Sequence, residues 1–266
     1  MRPNYNQIYF LKIAHIIFRL QLSDQLSLFD HWSKYFQSNL NNFFIKSDKY
    51  DYTIKFTGPL SIKRRISQTN PIITLPTFKG KTCYLNHLLH PNFFHSALRT
   101  MIASDLQKRQ LLLLHSASFL TFKNKAVLIV GKPGDGKSTT LRKLVPPLLP
   151  LSDDMTLLSI QEGQIMAYPS PFNSKLSLSQ TPNQAFPVSG VIFPSKSTKL
   201  SVIKTDSTTA LFNLLDQTLL PLKSKKITKI ALEYLRPLSL KTYFLKHRIH
   251  DDILDTVEKI FKNDSL

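Results

Sequence analysis

The chain has 266 residues, 42% of them hydrophobic and 20% charged, a composition that can bury a sizeable core and does not fit a disordered chain. Lys and Arg number 35 against 17 Asp and Glu, leaving a formal charge of +18; this favours anionic partners, but the Lys63-Arg64-Arg65 and 223–229 clusters match no nucleic-acid motif. The single cysteine, Cys83, excludes an intrachain disulfide and a cysteine-built zinc site and points to the cytoplasm.

In chain order, residues 7–22 are rich in Ile and Phe with partial alternation and predict one or two strands. Lys12, His15 and Arg19 interrupt this apolar run, and no small-residue cleavage site follows, so neither a signal peptide nor a membrane span is expected. Residues 24–44 have apolar positions Leu26, Leu28, Phe29, Trp32, Tyr35 and Phe36 at roughly helical spacing. Tyr52–Phe56 predicts a strand closed by Gly58-Pro59, and two further short strands are expected near 60–66 and 72–78.

A helical period runs from Asn92 to Gln110. Residues 116–122 and 126–130 then predict a hairpin about a Lys123-Asn124 turn, followed by a short helix over 138–145 that Pro146-Pro147 ends. A second hairpin is expected over 155–168 about Gln161-Glu162-Gly163. A loop over 169–189, strands at 191–193 and 199–203, and helices at 208–219 and 250–262 complete the prediction. A change of texture near residue 90 suggests an N-terminal α+β segment, 1–90, that either binds a partner or completes the core, and a second domain, 91–266.

Gly131-Lys132-Pro133-Gly134-Asp135-Gly136-Lys137-Ser138 fits the phosphate-loop pattern, between a Val/Leu/Ile strand and a helix. Glycines let the backbone curl around phosphate oxygens, and the amide N–H groups form an anion nest at the helix start. This motif predicts a bound nucleoside triphosphate such as ATP with Mg²⁺: Lys137 reaches the β- and γ-phosphates, the Ser138 hydroxyl sits on the metal, and Thr139 continues the site. The second feature is Ser152-Asp153-Asp154, 15 to 17 residues after Lys137. Paired carboxylates behind such a loop can divide metal binding from proton abstraction, although Asp also caps helices and turns. His115 stands just before the first hairpin, which brings it back toward the loop; a lone His on an apolar strand also serves as a hydrogen-bonded core residue.

His115-Ser-Ala-Ser, the hairpin, Gly131–Ser138 with Thr139, Ser152-Asp153-Asp154 and Tyr168-Pro169-Ser170-Pro171-Phe172 together resemble the HPr kinase/phosphorylase family, and more closely its HPr-kinase-related members. The resemblance covers residues 96 to about 215. It implies a mixed α/β fold with the nucleotide-binding core of phosphoenolpyruvate carboxykinases, a mixed sheet carrying the phosphate loop, in place of a parallel P-loop sheet. It also implies phosphate binding by Lys137, Mg²⁺ on Ser138 and Asp154, Asp153 as acid/base, and His115 orienting the aspartate. The HPr enzymes' Leu-Glu-Ile-Arg-Gly-type stretch is missing from 169–200, and no arginine lies between Arg142 and Arg236. The expected activity is therefore transfer of the ATP γ-phosphate to a hydroxyl of a small protein, an acidic peptide or a metabolite other than HPr. The alternative is a nucleotide-binding regulator without efficient turnover. A homo-oligomer is left open.

Overall fold

A computed structural model describes residues 8–22, 35–36, 40–57, 76–86, 91–172, 180–220 and 225–262. The chain forms two compact units, Met1–Ile102 and Ala103–Leu266, each with a mixed sheet of its own.

In the first unit the Ile- and Phe-rich stretch is a hairpin of β1 (Ile8–Ile13) and β2 (Ile16–Gln21), turned at Ala14 with φ +53°. Strict alternation along β2 buries Ile16, Phe18 and Leu20, so one face makes core and the other does not. β3 (Phe44–Ile45) pairs with β1, and β4 (Tyr52–Thr57) runs parallel to β2, stacking the Tyr52 ring on Phe18. β5 (Thr77–Lys79) and β6 (Thr82–Asn86) form a hairpin beside β4. β6 was not expected from the sequence; it carries the buried Cys83 opposite Ile54. The expected strand at 60–66, the Gly58-Pro59 stop and most of the expected helix at 24–44 lie outside the described residues. Helix α1 (Pro91–Arg109) follows, with Phe94 packed among Phe36, Phe56 and Tyr35.

The second unit builds a nine-stranded sheet among the described residues. Its strands begin with β7 (Leu111–Leu114), β8 (Ser116–Leu120) and β9 (Ala126–Val130). After helix α2 (Lys137–Leu144) come β10 (Leu149–Ser152), β11 (Thr156–Gln161) and β12 (Gln164–Tyr168). Then follow β13 (Phe186–Lys196), β14 (Ser201–Lys204), helices α3 (Ser207–Asp216) and α4 (Lys225–Ser239), β15 (Thr242–His247) and α5 (Leu254–Lys262). β9, β13 and β15 are parallel neighbours, while β8/β9 and β11/β12 are antiparallel hairpins. The fold is thus mixed α/β, as the sequence predicts.

Helices cover both faces of the central strands. Ala126, Leu128 and Val130 of β9 pack with Leu214 of α3 and Leu235 of α4; Val127 and Ile129 face Leu141 of α2 and Phe261 of α5. That two-sided burial is why β9 reads as an unbroken apolar run.

One expectation needs correction, and two elements of the second unit were not expected. The predicted loop over 169–189 gives way to β13 already at Phe186: Pro187 is accommodated where only two residues pair with β12. Helix α4 was missed because Pro237 breaks the helical text, yet it lies in the last turn. β15 was missed because Lys246 and His247 blunt its apolar pattern. Among the described residues no helix is long and apolar enough to cross a membrane.

Candidate phosphate-binding and acid/base site

The loop after β9 enters α2 through Gly134 (φ +93°) and Gly136 (φ +100°), backbone that L side chains rarely adopt. A Cβ at Gly131 would stand 2.9 Å from the Asp135 carboxylate, which folds back over the loop and accepts from the Lys132 amide at 2.6 Å. Pro133 and Asp135 are exposed.

Lys137 is buried although charged, and its Nζ donates to the carbonyls of Gly131 at 2.7 Å and Lys132 at 3.3 Å. Burial pulls its pKa below the usual lysine value, and the carboxylates of Asp135 and Asp154 counter that by favouring the ammonium. Ser138 is exposed, Thr139 half-buried, and Thr140 fully buried with its hydroxyl 3.0 Å from His247 Nε2.

Asp153 and Asp154 form the bend after β10, both half-buried. Their placement rests on a buried ring of hydroxyls. Ser152 Oγ lies 2.7 Å from Thr156 Oγ1, Thr156 donates to Ser118 Oγ at 2.9 Å, and Ser118 lies 3.0 Å from Ser152. Each hydroxyl has one proton to give, so the ring closes with every member donating once, and Ser116 donates into it at 2.8 Å. The ring ties β8, β10 and β11 together on the two sides of the aspartates. The Pro-containing segment closes the same bend: the Ser170 amide donates to Leu151 O at 3.0 Å and its hydroxyl donates to Met155 O.

His115 Nε2 lies 3.5 Å from Asp154 Oδ1, and its Nδ1 lies 3.0 Å from Gln217 Oε1. Gln217 Nε2 donates to Asp216 Oδ2 at 3.2 Å, which sets the amide so that its oxygen faces the imidazole. The main chain repeats the link, since the His115 amide donates to Gln217 O at 2.8 Å. Asp216 in turn stands 3.8 Å from Lys132 Nζ, both exposed.

The geometry thus joins His115 to Asp154, and the Asp154 carboxylate favours the Lys137 ammonium. Gln217, Asp216 and His247 were not read from the sequence; Gln217 lies 102 residues from His115 and carries no motif. In the stretch without arginine, Lys196 and Lys199 are exposed and Lys175 lies outside the described residues.

A family model described as "SynChlorMet cassette protein ScmC" matches residues 93–262, well over half of the chain. The chain belongs to the ScmC family. The match begins within α1 and takes in the loop, the aspartate pair, His115 and Gln217. None of the curated proteins matches the chain. Among solved structures, the HPr(Ser) kinase/phosphatase from Coxiella burnetii is similar at 14% identity, over 57% of this chain and 94% of that one, with a TM-score of 0.31.

Proposed function

We propose that this ScmC-family chain is an ATP-dependent phosphotransferase of HPr-kinase-like type, transferring the γ-phosphate to a hydroxyl of a small protein, peptide or metabolite other than HPr. The observation that carries the reading is the convergence on one loop of a buried lysine, held by loop carbonyls, and a carboxylate pair whose Asp154 is held by His115. Lys137 exchanges its carbonyl partners for β- and γ-phosphate oxygens, and the amides of 134–138 supply the anion nest.

Among the described residues no three His, Cys, Asp or Glu form a metal cage. One hydroxyl and one carboxylate, Ser138 and Asp154, suit Mg²⁺, which keeps waters and takes phosphate oxygens for the rest of its shell. When bound, the ion neutralises phosphate charge. His115 orients Asp154, and Asp153 is the base: it takes the proton from the acceptor hydroxyl, whose oxygen bonds to the γ-phosphorus as the bond to the β–γ bridging oxygen breaks and ADP leaves. The acceptor is best sought among the other proteins of the cassette for which the family is named.

Asp153→Asn tests this. Transfer from labelled ATP to the acceptor is expected to fall by ~10²-fold or more while ATP binding persists, and Lys137→Ala is expected to lose the binding itself. An Asp153→Asn enzyme that transfers at the wild-type rate removes the base assignment. ATP binding without transfer to any cassette protein favours a regulator.

A further inference from the structure

The three parallel strands β9, β13 and β15 lie side by side, and all their carboxyl ends open on one edge of the sheet. β9 delivers the phosphate loop there. Beside it, at the ends of β13 and β15, lies a cavity of about 330 Å³ bordered by Gly136 and Thr139 of the loop and helix, Ser195 and Ser197 at the end of β13, and His247 and Ile249 at the end of β15. The carboxyl ends of parallel strands are where α/β sheets take ligands, and the volume lies in the range of small-molecule sites.

The walls are held from behind. His247 is buried and bonded to Thr140 of α2. Lys143 of the same helix donates to Arg248 O at 2.7 Å and Asp251 O at 2.8 Å, fixing the turn that carries Ile249. Ile249 itself is 67% exposed and lines the cavity as an apolar side chain that water meets. Any ligand whose phosphates sit in the loop and whose remainder leaves past Gly136 and Thr139 enters this cavity.

We infer that the cavity takes the nucleoside half of the nucleotide, with the base against Ile249 and the sugar hydroxyls beside Ser195 and Ser197. This rests on the phosphotransferase reading above, and the experiment separates the two. Binding of Mg-ATP and of Mg-tripolyphosphate is measured by calorimetry on the full chain and on the variants Ser197→Trp, which fills the cavity, and Ile249→Ser, which removes the apolar face of an exposed residue.

The wild type is expected to prefer ATP over tripolyphosphate by about tenfold or more, one 1.4 kcal/mol step. Both variants are expected to lose most of that preference while keeping tripolyphosphate. If Ser197→Trp loses both ligands, Ile249→Ser decides. Variants that keep the full ATP preference, or a wild type that binds the two ligands equally, overturn the nucleoside pocket and leave the phosphate site standing. A wild type that binds neither ligand overturns the phosphotransferase reading and this inference with it.

Discussion

At the scale of single residues, Gln217 is the group whose loss separates orientation from binding. Its oxygen faces His115 Nδ1 and its nitrogen faces Asp216, so the imidazole presents Nε2 to Asp154 in one setting. Groups that orient a ligand or base in this way commonly contribute ~10–100-fold to activity without touching substrate. Gln217→Leu is expected to lower kcat within that range and leave ATP affinity near wild type; Gln217→Glu, which keeps an acceptor toward Nδ1, is expected to restore part of the rate. Steady-state kinetics and ATP binding on both variants check this, and equal losses in the two would make Gln217 a packing residue. Lys137 shows the complementary case. Burial works against its charge, two carboxylates work for it, and the loop carbonyls hold the ammonium where phosphate oxygens are expected.

At the scale of elements, the hydroxyl ring explains how one short bend can hold two carboxylates. β10 is only four residues long, and its pairing with β8 shifts register between Pro150 and Ser152. Strand pairing alone therefore does little to fix the bend. Ser152 and Thr156 fix it instead, bonded to each other across Asp153 and Asp154 and to Ser118 below. Thr156→Val keeps the shape and removes the hydroxyl, leaving buried serines short of a partner. The expected cost is ~1–3 kcal/mol in urea unfolding, with a fall in transfer larger than the fall in ATP binding because the bend carries the acid and not the loop. Unchanged unfolding would mean that the ring contributes nothing net. The Ser of the Ser-Asp-Asp motif thus acts by position, not by chemistry.

At the scale of the whole molecule, the family match starts at residue 93, yet helix α1 reaches into the first unit. Phe94, Ala97, Leu98 and Ile102 are buried, and Phe94 sits against Phe36 and Phe56. A fragment starting at residue 91 lacks Phe36 and Phe56 and exposes Phe94 and the apolar face of α1 to water. It is expected to aggregate on expression, whereas the full chain stays in solution; size-exclusion chromatography of the two compares them. A monodisperse fragment that binds ATP but no longer phosphorylates its acceptor would instead make residues 1–90 a partner-binding segment.

The sequence by itself determined the parts whose signals are local. Glycines at fixed spacing dictate a loop because only they tolerate φ near +100° at Gly136; alternating Ile and Phe dictate the β1–β2 hairpin; and Ala126–Val130 must be buried on both faces because no position in it is polar. Fold class and the conformation of the glycine loop follow from these. The tertiary structure decided what depends on distant pairs. It placed Gln217 on His115, gave His115 to Atom Oδ1 of Asp154, and put the ends of β13 and β15 beside the loop. The Gln217–His115 contact spans 102 residues of chain, and a side chain's partner at that separation is set by how the sheet orders its strands, which no local pattern encodes.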